Sequence, residues 1–90
     1  TRAGYPDFLV FRLVDGEIVT DILEPHQGED SVAKAKGLAE FARRYGEWFG
    51  RIEMIRDFGD DLRCISLDQA NVRDQLDLVT GHEDFLALFR

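Results

Sequence analysis

A single cysteine, Cys64, leaves no internal disulfide to brace the 90-residue chain. Stability has to come from packing, and the cysteine usage fits a reducing cytosol. Basic residues are scarce: 11 Lys and Arg stand against 18 Asp and Glu, a formal charge of -7. Sequence-indifferent nucleic-acid binding draws its affinity from cations on phosphates, so the balance argues against a free-standing binder of that kind. It leaves room for a local site where a divalent cation bridges carboxylate and phosphate. No apolar run approaches the ~20 residues a membrane-spanning helix needs, and no secretory signal pattern is visible. The glycines never form G-x-G-x-x-G or a P-loop, which removes support for nucleotide binding. Two histidines and one cysteine, far apart, give no zinc spacing.

What is present is an ordinary globular composition, 44% hydrophobic and 32% charged, in a length that suits one domain with a small core. The chain opens Thr1-Arg2-Ala3 without an initiator Met. The expectation is a single domain over residues 1–90, part of a longer cytoplasmic polypeptide.

Asp7 to Val14 (DFLVFRLV) and Glu17 to Glu24 (EIVTDILE) are strand-like runs separated by Asp15-Gly16. A two-residue Asp-Gly between such runs predicts a hairpin closed by a type I′ turn, because both central positions need positive φ. Pro25 ends the second strand, and Gln27-Gly28-Glu29-Asp30 reads as a loop. From Ser31 to Phe49, Val32, Ala35, Leu38, Ala39, Ala42, Tyr45 and Phe49 recur at helical spacing, with Asp30 or Ser31 as N-cap and Gly50 as the stop. Arg51 to Phe58 and Leu62 to Leu67 read as short strands joined at Gly59-Asp60-Asp61. Asp68 is a candidate cap for a helix carrying Val72, Leu76 and Val79. Thr80-Gly81-His82-Glu83 has capping-box spacing ahead of a last short helix. The predicted fold is α/β (α+β), order β-β-α-β-β-α-α, with a mixed sheet in which the second and third strands pair in parallel across the helical crossover.

The turn sets a register in which opposed residues sum to 31, so Val14 faces Glu17, Val10 faces Asp21 and Asp7 faces Glu24. Opposed side chains share a face with Cβ atoms ~5 Å apart, and two carboxylates there repel unless a cation intervenes. Mg²⁺ suits such a pair, since it takes one or two carboxylates and completes its shell with water and phosphate oxygens. Solvated acids at the open end of a hairpin are the competing account.

Tyr5-Pro6-Asp7-Phe8, the short hairpin, and Glu24-Pro25-His26 followed by a Lys-bearing helix resemble the PD-(D/E)XK nuclease superfamily. They look specifically like the C-terminal nuclease domain of type III restriction enzyme Res subunits and related helicase-fused proteins. The resemblance covers about Tyr5 to Arg56. It implies a restriction-endonuclease-like fold and Mg²⁺-dependent cleavage of DNA, with Asp7 and Glu24 as metal ligands. It also implies a helicase or translocase in the same polypeptide that supplies the DNA affinity. His26 stands where the family has Lys. Imidazole can orient a water or act as a base near neutral pH but is not a permanent ammonium. Lys34 or Lys36 of the following helix is the alternative source of that charge, and Lys34 lies nearer the apolar stripe. The family's N-terminal helix has no counterpart in Thr1 to Gly4. The same departures fit a second expectation, a catalytically decayed nuclease fold kept as a protein-interaction or docking module.

Cys64 sits among Leu62, Ile65 and Leu67 and reads as a structural thiol. Arg43 and Arg44 read as the helix's solvated face, with Phe49 packed and Trp48 only partly covered.

Overall fold

The computed structural model describes residues 8–25 and 31–90. Asp15 and Gly16 both adopt positive φ, 51° and 84°, as a type I′ turn demands. The turn therefore joins β1 (Phe8–Val14) to β2 (Glu17–Pro25) in the register that sums to 31, from Val14 opposite Glu17 to Phe8 opposite Leu23. Helix α1 (Ser31–Tyr45) then crosses to β3 (Ile52–Asp57). β3 lies parallel to β2, with Ile22 beside Ile52 and Glu24 beside Met54. β4 (Leu62–Ser66) returns antiparallel to β3, giving a mixed four-stranded sheet in the order β1-β2-β3-β4. Helices α2 (Ala70–Asp77) and α3 (His82–Leu86) complete the element order β-β-α-β-β-α-α.

α1 approaches the sheet closely because its inward stripe is small: Ala35, Ala39 and Ala42 are buried with Ile22, Ile52 and Met54 in one core. Leu67, Leu76, Val79, Phe85 and Phe89 extend that core beneath α2 and α3. Phe89 stacks edge-on against Phe85 and Phe58, with ring centroids 5.2 and 5.7 Å apart, a geometry favoured by the aromatic quadrupole. The two sheet edges differ. Cys64 and Arg90 exchange backbone hydrogen bonds of 3.1 and 2.9 Å, which occupies the outer edge of β4 at its middle residue. β1 forms the opposite edge, and its large apolar side chains Phe8, Leu9, Phe11 and Leu13 are exposed.

Several local expectations need correction. α1 stops at Tyr45, before Gly50, because Gly46–Trp48 tightens into a 3₁₀ turn. Tyr45 consequently lies outside the core while Phe41 packs against it. Asp68 caps no helix: its Oδ1 accepts the Ile52 N–H at 3.1 Å, and Gln69 takes the N-cap position of α2. Thr80 is likewise displaced by Gly81 as the N-cap of α3, and its hydroxyl meets Asp84 Oδ2 at 3.2 Å. Ser31 begins α1 but is fully buried, with Arg56 Nη1 3.4 Å from its Oγ. For Asp68 a tertiary partner, and for Thr80 a side chain one turn on, takes the polar group that local spacing assigned to a cap.

Candidate functional site at the carboxyl end of the second strand

Alternation along β2 sends Ile22 and Glu24 toward α1. The two line an open cavity of about 410 Å³ together with Ala33, Lys34, Gly37, Leu38 and Phe41 of the helix. The helical contributors fall at spacings of one, three and four, so one face of α1 roofs the space. Ile22, Leu38 and Phe41 make it largely apolar, and Glu24 and Lys34 bring opposite charges to its rim. This is where α/β units usually bind ligands, beyond the carboxyl end of a strand and against the start of the crossover helix.

Of the residues singled out from sequence, Glu24 and Lys34 are thus brought to one cavity. Lys36 is exposed on the same helix and is not among the residues lining it. Asp7 and His26 lie outside the described residues. Among the described residues, no group of three or more His, Cys, Asp and Glu is placed to hold a metal ion. Glu24 is the described carboxylate that lines the cavity. A hard divalent cation that retains most of its waters needs few protein oxygens, so Glu24 fits one ligand position without defining a complete set. The apolar floor was missed in the sequence because Phe41 falls outside the repeating stripe and Gly37 carries no side chain to flag it.

A second polar cluster lies on the opposite sheet face. Asp21 is 3% exposed. Its Oδ1 accepts Arg51 N–H at 2.7 Å and Arg12 Nη2 at 3.1 Å, and Arg12 Nε binds Oδ2. The Arg12 hydrogen bond holds the Asp21 carboxyl below its ordinary pKa, opposed by desolvation, and the same contact raises Arg12. Gly50 passes directly over the pair: a Cβ there would collide with Asp21 Oδ1 and come within 2.6 Å of Val19 Cγ1. Gly50 N–H reaches Thr20 C=O at 2.8 Å, and Ile22 N–H reaches Arg51 C=O at 2.8 Å. The cluster therefore clamps the hairpin to the entry of β3. The diagonal from Arg12 to Asp21 follows from the hairpin register, which was the available signal. Cys64 is half-buried, and burial foremost, then the Glu53 charge, pushes its thiol up, away from nucleophilic character.

Among the described residues, no helix is long and apolar enough to cross a membrane. No solved structure matches the chain. It is 35% identical over 71 residues to Protein YagJ of Escherichia coli (strain K12), an alignment spanning 77% of this chain and 29% of that protein. The YagJ family model matches residues 1–90 in full, and the chain belongs to the YagJ family.

Proposed function

We propose that the cavity beneath α1 is a divalent-cation-dependent phosphodiesterase site of the PD-(D/E)XK kind, acting on DNA within a longer polypeptide. The observation that carries this reading is the shared cavity of Glu24 and Lys34 at the carboxyl end of β2. The residue that the register rule assigns opposite Glu24 is Asp7, and the two carboxylates are the metal ligands. Mg²⁺ held there would supply charge neutralisation at the phosphate and lower the pKa of water. Lys34 is placed to orient an attacking water or stabilise the developing charge, with His26 or Lys36 as the other candidates for the role. In the overall hydrolysis the ester P–O bond breaks as the OH of water goes to phosphorus, and water's remaining proton goes to the leaving oxygen. DNA affinity comes from a helicase or translocase region of the parent polypeptide, since the chain's own charge is unfavourable. The compartment is the cytoplasm, consistent with a lone thiol.

Mg²⁺ and Mn²⁺ titrations of the chain test the site. Binding should weaken at least tenfold in Asp7→Asn and in Glu24→Gln, and Lys34→Ala should retain metal while losing cleavage. Metal affinity indifferent to both carboxylate changes would remove the enzymatic reading. The second reading is a docking module on a decayed nuclease fold. The exposed apolar hairpin favours it, and it predicts partner binding undiminished by Glu24→Gln.

A further inference from the structure

Edge strands usually carry a safeguard against pairing, such as Lys, Pro, a bulge or a covering segment. Among the described residues β1 has none of these: six of the seven residues of Phe8–Val14 are apolar, its pairing with β2 runs without a bulge, and its one charge, Arg12, is drawn onto Asp21 of the neighbouring strand. The β4 edge, by contrast, is engaged at Cys64 by the backbone of Arg90. A two-residue turn closes on Val14 and Glu17, so the N–H and C=O groups of Phe8, Val10, Arg12 and Val14 face β2. Those of Leu9, Phe11 and Leu13 face outward, and among the described residues no backbone hydrogen bond reaches them. Leu9, Phe11 and Leu13 also share the α1 face of the sheet with Ile18, and these four side chains are 56–76% exposed.

We infer that β1 is a self-pairing edge, joining two copies of the chain antiparallel about a twofold axis at Phe11 into one continuous eight-stranded sheet. The strand is nearly palindromic in character about that residue. Phe11 meets the partner's Phe11, Leu9 meets the partner's Leu13, Phe8 meets the partner's Val14, and Arg12 meets the partner's Val10. No guanidinium faces another. The outward backbone groups are those of the residues this register places in hydrogen-bonded pairs. Leu9, Phe11, Leu13 and Ile18 form an exposed apolar strip on the α1 face, and Phe8, Val10 and Val14 expose apolar surface on the other, so both faces of this edge offer apolar contact to a partner strand. A second copy matches the apolar pattern of this edge and keeps the two Arg12 side chains apart.

Sedimentation and light scattering of the purified chain over a concentration series should give twice the monomer mass. Phe11→Lys should give a monomer with an unchanged far-UV circular dichroism spectrum. In a Cys64→Ser background, Phe11→Cys should oxidise to a covalent dimer. Its Cα separation from the partner's equivalent would be ~5.5 Å, inside the disulfide range. Leu13→Cys should not, because four residues of offset separate it from its symmetry mate by ~14 Å. Glu24→Gln should leave the dimer intact, so failure of the metal site and failure of the interface are told apart. A chain monomeric throughout the series, a dimer that survives Phe11→Lys, or Leu13→Cys cross-linking as readily as Phe11→Cys would overturn the inference.

Discussion

Asp21 carries an unusual load for one side chain. It is a nearly buried carboxylate that accepts from a backbone N–H of one strand entry and a guanidinium of another strand. Asn in its place keeps one acceptor oxygen but sets an amide NH2 where the other carboxylate oxygen stood, so one bond to Arg12 is lost and the guanidinium loses its counter-charge. Asp21→Asn should therefore lower stability by about 1–3 kcal/mol at neutral pH, read as a shift in urea midpoint. Because the folded state holds this carboxyl below its unfolded value, its contribution is complete above the ordinary carboxylate pKa. It is lost as pH falls through the depressed folded value. The gap between wild type and Asp21→Asn should narrow in acid and stay constant from about pH 5 upward. A gap independent of pH down to strong acid would show that shape, not charge, sets the effect.

Among the elements, the hairpin is specified most locally, since Asp15 and Gly16 both sit at the positive φ that its two-residue turn needs. Gly16→Ala should cost roughly 1–2 kcal/mol from the left-handed backbone alone. A Cβ there meets open space, so the effect isolates conformation from packing. Denaturant titration with an unchanged m-value checks it. The same locality explains which parts were legible in the sequence. Turn, register, strand order and the parallel crossover follow from Asp15-Gly16, alternation, and a helix between strands, each a short-range signal. The starts of the last two helices were not legible, because Asp68 and Thr80 are polar groups whose partners, Ile52 and Asp84, were set by packing or by side-chain geometry. The candidate site divides similarly. The hairpin register singled out Glu24 and helical angle favoured Lys34 over Lys36, while their meeting at one cavity shows only in the fold. The apolar floor of Ile22, Leu38 and Phe41 exists only once α1 lies across the sheet.

At the scale of the molecule, the question is whether the last two helices fold with the sheet or ride on it. Every layer contributes to one buried cluster: Ile22 from β2, the alanines of α1, Met54 and Ile65 from β3 and β4, Leu76 from α2 and Phe85 from α3. Phe85 is fully buried and holds Phe89 edge-on, while Phe89 in turn packs on Phe58 at the end of β3. A cluster this continuous in a chain this short leaves no separable unit, so unfolding should be all-or-none. Phe85→Ala removes a ring from the centre of that cluster and should cost about 3–5 kcal/mol. Domains of this size have on the order of 5–10 kcal/mol in total, so the variant should be close to unfolding. Far-UV circular dichroism and the Met54 methyl NMR signal should report one transition, moved together to lower denaturant. Were α2 and α3 an appendage, the Met54 signal beneath α1 would keep its wild-type midpoint while helical signal melted early. The hydrogen bonds between Cys64 and Arg90, which tie the chain's last residue to the sheet, argue for the concerted outcome.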